Sequence, residues 1–259
     1  MYGPLQGDVI LYRNNQDGTF SPTSLISYAG LLWRGAARFG DFNNDGWLDV
    51  AVVGYDDNAG RIADLFLSSN GTAFVKQAAT DWDGYDNARI GVGDYDADGD
   101  LDIVFGGDTD ASNYVIVYRN NLGNETPNTP PSAPGNAGST VSQYQATLRW
   151  DSATDDTTPT DGLSYNIRAW RQSDSSVILP SLSDDATGWR YISGPGNAGY
   201  MTGGAQREKT LTITEPGIYQ WQVQAIDAMF AGGAWSAIDS FEIVTRSEEH
   251  TSELQSRIT

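Results

Sequence analysis

Asp41-Phe42-Asn43-Asn44-Asp45-Gly46-Trp47-Leu48-Asp49 and Asp94-Tyr95-Asp96-Ala97-Asp98-Gly99-Asp100-Leu101-Asp102 are two copies of one pattern, D-[FY]-[ND]-x-D-G-x-L-D. Each copy runs directly into an apolar segment, Val50 to Val53 in the first and Ile103 to Phe105 in the second. Oxygen-bearing side chains at positions 1, 3, 5 and 9, with a backbone carbonyl at position 7, can converge on one hard cation. Ca2+ takes roughly six to eight oxygen ligands and suits such a loop. Gly46 and Gly99 stand where the backbone must turn sharply, at low steric cost for glycine.

An EF-hand loop opens in a similar way, but it requires a bidentate glutamate at position 12 and flanking helices. Position 12 here is Val52 or Phe105, inside a β-branched and aromatic run that reads as a strand. A single Asp/Asn/Gly-rich turn is compatible with a loop that binds nothing. Two copies, each feeding a strand, favour the cation.

The repetition extends beyond the loops. Ile10-Leu11-Tyr12-Arg13-Asn14-Asn15 recurs as Leu65-Phe66-Leu67-Ser68-Ser69-Asn70 and again as Ile116-Val117-Tyr118-Arg119-Asn120-Asn121. Each is a short strand ending in an Asn-rich turn. The acidic loops begin 53 residues apart, at Asp41 and Asp94. Self-similarity at this period, carried by short strands without helical periodicity, predicts a β-propeller rather than a helical array. The second blade is expected over about residues 22 to 74.

On these residues, Phe39-Gly40-Asp41-Phe42-Asn43-Asn44-Asp45-Gly46 and Gly93-Asp94-Tyr95-Asp96-Ala97-Asp98-Gly99-Asp100-Leu101-Asp102, the stretch 5–121 resembles the VCBS/FG-GAP repeats of integrin-α-like propellers. The resemblance implies that each loop links the first two strands of a blade and holds one Ca2+. It implies Asp41, Asn43, Asp45 and Asp49 with the Trp47 carbonyl as one ligand set. It implies Asp94, Asp96, Asp98 and Asp102 with the Asp100 carbonyl as the other. Three carboxylates and an amide against four carboxylates predict the tighter site at 94–102, because more ligand charge tightens Ca2+ binding. About two to two and a half blades are present, fewer than a closed ring needs, so a fragment of a larger protein is expected.

The composition narrows the partners. The net charge is −19, and the acidic excess is aspartate, 27 Asp against 7 Glu. Aspartate beside 29 glycines signals turns and cation ligands more than helix surfaces. Such a surface repels phosphates, so nucleic acid is not an expected partner. No run approaches the ~18 apolar residues of a membrane span. There are no cysteines, and the single histidine is His250. The usual catalytic triads and thiolate metal sites are thereby unsupported.

Residues 126–136 are Pro-rich and read as a linker between the repeats (1–125) and a second domain (137–245). In that second domain, Ala146 to Trp150, Ser164 to Trp170, Thr210 to Ile213, Gly217 to Ala225 and Ser240 to Val244 alternate as short strands, which predicts a β-sandwich. Trp150-Asp151, Asp155-Asp156, Leu163-Ser164-Tyr165 and Tyr219 to Asp227 make it resemble a fibronectin type III-like domain, with Tyr219 as tyrosine-corner residue and Trp150 and Leu211 in the core. A long insertion at 171–209 holds Trp189, Tyr191 and Tyr200, expected to cover a sandwich edge or to stack on sugar rings. Residues 246–259 are expected to be foreign to the fold, since Arg246 to Ser256 matches the in-frame translation of a sequencing adapter.

The expectation is therefore an all-β chain, a partial propeller followed by an Ig/fibronectin III-like sandwich. Its function is expected to be a calcium-binding, non-catalytic scaffold for binding or adhesion, secreted or at a cell surface and of bacterial type. Its partner would be a protein or a glycan. The alternative is an accessory, carbohydrate-binding region of a larger secreted enzyme.

Overall fold

A computed structural model describes residues 7–15, 17–28, 32–77, 82–121, 127–200 and 206–244. The tail 246–259 lies outside the described residues. The described residues are all-β, with strands joined by turns and loops. Two compact units account for the chain. One comprises Met1–Thr129 with two later segments, Asp156–Gly162 and Asp227–Ala231; the other comprises Pro130–Asp155, Leu163–Ile226 and Gly232–Thr259.

The described residues of the first unit form three antiparallel sheets. Strands β1 (Gly7–Asn14) and β2 (Phe20–Tyr28) form a hairpin. Strands β3 (Leu32–Gly40), β4 (Asp49–Asp56), β5 (Gly60–Ser69) and β6 (Ala73–Lys76) form a four-stranded meander. Strands β7 (Asp86–Gly93), β8 (Asp102–Asp108) and β9 (Asn113–Tyr118) form a three-stranded meander. The central sheet starts at Leu32 and not near residue 22, because Phe20–Tyr28 pairs back onto β1.

Strand β4 explains how the sheets are held. Its side chains alternate, and both faces are buried. Val50 and Val52 pack with Ile62 and Phe66 against Val9 of β1 and Leu25 of β2. Ala51 and Val53 join Leu65, Ala88, Ile90, Ile103 and Phe105 on the opposite side. A strand enclosed on both faces reads as a continuous apolar run, which is what Val50-Ala51-Val52-Val53 is. The second cluster also takes in Met229 and Phe230 from the segment Asp227–Ala231.

The pairing register corrects one expected correspondence between the repeats. Val50 faces Phe66, and Ile103 faces Tyr118. Phe66 is thus equivalent to Tyr118 and not to Val117, and Leu67, not Ser68, is equivalent to Arg119. The second hairpin is one residue shorter on its way back to the loop, so aligning the Asn-rich strand ends slips by one.

The described residues of the second unit form two sheets. Strands β10 (Gly138–Ser142), β11 (Gln145–Asp151) and β15 (Gln206–Thr212) form one. In the other, β12 (Ser164–Arg171) lies between β16 (Gly217–Ile226) and the short strands β13 (Val177–Leu179) and β14 (Gly199–Tyr200), and β17 (Asp239–Ile243) flanks β16. Alternate residues share one core: Ala146, Leu148 and Trp150 of β11, Tyr165, Ile167 and Ala169 of β12, and Tyr219, Trp221, Val223 and Ala225 of β16. Trp150 sits edge-on to Tyr165, with centroids 5.5 Å apart. Leu211 packs against this core from its margin.

The insertion completes the edge of β12. Between the contacts of β13 and β14, the Asn197 side-chain amide takes the place of a strand: its oxygen accepts from the Ile167 amide at 2.8 Å and its nitrogen donates to the Ile167 carbonyl at 2.7 Å. Further along, Ser183 and Gly188 satisfy the buried Asn166 and Gln224 side chains of β12 and β16. Trp189 and Tyr191 remain exposed, at 66% and 64%.

Candidate metal-binding loops

Each acidic loop joins the first two strands of its sheet, 41–48 between β3 and β4 and 94–101 between β7 and β8. The local conformation is set by two left-handed residues in each copy, Asn44 (φ 56°) and Gly46 (φ 85°), and Ala97 (φ 59°) and Gly99 (φ 91°). Glycine adopts this region freely, whereas alanine is strained there by about 1 kcal/mol. Gly46 is additionally required by space, because a Cβ there would run into the Thr157 carbonyl. At Gly99 a Cβ would lie 2.9 Å from Pro127 Cβ.

The two loops share one cage of hydrogen bonds. The position 1 carboxylate accepts from the amides of positions 5 and 6: Asp41 from Asp45 (3.1 Å) and Gly46 (2.7 Å), Asp94 from Asp98 (3.1 Å) and Gly99 (3.1 Å). Position 5 accepts from the amide of position 7, Asp45 from Trp47 and Asp98 from Asp100. Position 9 accepts from position 2 and from the returning strand: Asp49 from Phe42 (2.8 Å) and Ser68 (2.7 Å), Asp102 from Tyr95 (3.0 Å) and Asn120 (2.7 Å). Amides that would otherwise be orphaned at a tight turn are satisfied by carboxylates, and the carboxylates are thereby aimed inward.

Burial falls on position 9 in both loops and on position 1 in the first, whereas Asp94 is half-buried and Asp45 is exposed. Asp41 and Asp49 have no solvent exposure, and Asp102 only 2%. Burial raises Asp41 to about 6 and Asp49 to about 7, against the backbone hydrogen bonds that oppose it. Asp102 is raised for the same reason. Removing a carboxylate from water disfavours its charged form unless a positive charge compensates. Among the described residues no ion pair reaches Asp41, Asp45 or Asp49.

The copies differ in what they gather. In the second, oxygens of Asp94, Asp96 and Asp102 all lie within 4.8 Å of one another, the only such group of three carboxylates among the described residues. Asp98 turns away: Arg119 reaches Asp98 at 2.7 Å through Nη2 and Asp96 at 2.8 Å through Nε. That guanidinium holds Asp98 below the ordinary carboxylate range. The Asp100 side chain is buried and accepts from Asn44 Nδ2 of the first loop at 2.9 Å. Asn120 Nδ2 donates to the carbonyls of Phe42 and Leu101, tying the loops together a second time. In the first copy Asn43 Nδ2 donates to Asp45 at 3.0 Å, while Asp41 and Asp49 face the cage described above. The donor set is all oxygen in both loops, which fits a hard divalent cation and not a soft one.

Sequence reasoning did not single out Arg119 or Asn44. The signal for Arg119 was present as the only cationic residue in Ile116 to Asn121, yet its role depends on register.

The second unit carries a cleft of about 400 Å3, lined in part by Arg168, Trp170, Asp185 and Tyr191. Its arginine is fully engaged, paired to Asp185 at 3.0 Å and held between the rings of Trp170 and Trp235.

No helix among the described residues is long and apolar enough to cross a membrane. A search of curated proteins finds no match to the chain. The family described as FG-GAP-like repeat matches it twice, over residues 2–52 and 41–105. Residues 41–52, which hold the first acidic loop, belong to both matches, and this part of the chain carries FG-GAP-like repeats.

Proposed function

We propose that this chain is a calcium-stabilised, non-catalytic scaffold that works outside the cell, secreted or on a bacterial-type surface, and binds a protein or a glycan. The observation that carries the reading is the duplicated cage: two loops within FG-GAP-like repeats hold their position 1 and position 9 carboxylates by the same amide contacts. Asp41, Asn43, Asp45, Asp49 and the Trp47 carbonyl would hold one Ca2+. Asp94, Asp96, Asp98, Asp102 and the Asp100 carbonyl would hold the other. The ion would supply a fixed positive charge to carboxylates that burial otherwise pushes toward protonation. The three sheets of the first unit would be successive propeller blades. The second unit would be a fibronectin III-like sandwich, a reading supported by the Tyr219 hydroxyl donating to the Glu215 carbonyl at 2.9 Å, as in a tyrosine corner.

A ligand that binds only the folded state stabilises it by mass action. Thermal melting in millimolar CaCl2 should lie well above melting in EDTA, and calorimetry should return two Ca2+ per chain. Equal melting temperatures together with no heat of binding would overturn the proposal.

A further inference from the structure

We infer that Arg119 is a built-in competitor for the second cation site and makes that site the weaker of the two. The inference rests on the calcium reading of the loops. Charge counting alone favours the second loop, with four ligand carboxylates against three in the first. Arg119 removes that advantage: four carboxylates and one guanidinium leave −3, the same as the three carboxylates of the first loop. The guanidinium does not sit at a distance. It holds the carboxylates of positions 3 and 5 together, Asp96 at 2.8 Å and Asp98 at 2.7 Å. These are the two ligands with fewest ties to the loop backbone, since Asp94 and Asp102 each accept two amide hydrogen bonds.

At the equivalent place beside the first loop stands Leu67, which packs against the apolar core and offers no charge. Among the described residues no cation pairs with the carboxylates of the first loop, so a divalent ion entering it displaces none. An ion entering the second must first separate two ion pairs. Each pair is partly exposed and therefore modest, and the two together amount to about a tenfold handicap. Arg119 is half exposed, so its headgroup can swing into water when displaced. The first loop therefore fills at lower Ca2+, and the second answers to concentration and to ionic strength.

The test uses the full chain. Asp45→Ala removes a position 5 ligand from the first loop and isolates the second for calorimetric titration with CaCl2. In that background Arg119→Leu, which installs the residue found beside the first loop, should tighten the dissociation constant by about tenfold. Arg119→Gln, which keeps a polar side chain at an exposed position, should do nearly the same and guards against a folding failure of the leucine variant. An unchanged or weaker affinity in both variants overturns the inference while leaving the calcium reading standing. If neither the parent nor the variants take up Ca2+ with their melting curves intact, the reading of the second loop fails and the inference falls with it.

Discussion

Replacing Gly46 by alanine would place a methyl group against the Thr157 carbonyl oxygen while holding φ at 85°. Two separable costs follow. An L-residue forced into the left-handed region loses about 1–2 kcal/mol. A methyl group inside contact distance of a backbone oxygen must move one chain or the other, and overpacking of this kind costs about 1–3 kcal/mol. The sum is about 2–5 kcal/mol, a large part of the stability of an ordinary domain. Gly60 supplies the control within the same unit: its φ is 79°, and nothing lies within 4 Å of a Cβ there. Gly60→Ala therefore carries the conformational cost alone. Urea denaturation of both variants, followed by tryptophan fluorescence and held at one Ca2+ concentration, gives the difference directly. Should Gly46→Ala cost no more than Gly60→Ala, the close approach of Asp156–Gly162 to the first loop is refuted.

Two further outcomes are expected. Asp41 and Asp49 are raised by burial to about 6 and about 7, so the stability they lend the metal-free protein is full below about pH 4 and is lost as pH rises through those values. On the proposed calcium reading, Ca2+ would have to displace those protons, so its affinity for the first loop should climb from pH 5 to pH 8, with proton release at pH 6 detectable by calorimetry in buffers of different ionisation enthalpy; a flat affinity would contradict this. In the second unit, Tyr219→Phe removes a hydroxyl that donates to Glu215 and accepts from Arg171 at 3.2 Å, and should lower unfolding free energy by about 1–2 kcal/mol without altering Ca2+ binding; a wild-type denaturation curve would contradict it.

What was legible in the sequence was local. The acidic loops declare themselves because every ligand candidate lies within nine residues and the turn needs Gly46 and Gly99 at fixed offsets. The alternation of Ala146-Thr147-Leu148-Arg149-Trp150 announces its buried face in the same way. What was not legible depends on partners far along the chain. Phe20–Tyr28 looks like the start of a new sheet until its pairing with β1 is known. Arg119 is opposed to the second loop only once the shorter hairpin fixes its register. Met229 and Phe230 carry no repeat signal, yet they enter the core of the first unit, and the Asn44–Asp100 contact spans 56 residues.

The amide of Asn197 gives the insertion a consequence of its own. An open sheet edge is a template for another chain, and proteins commonly guard such edges with charge or with a covering segment. Here the guard is a single side chain that presents one donor and one acceptor at the spacing of a neighbouring strand. The segment 180–200 is thus not a loop whose length can drift freely. Trimming it for expression or fusion would uncover β12 midway along its length and invite self-association, whereas the tips at Trp189 and Tyr191 can accept change without disturbing the seal.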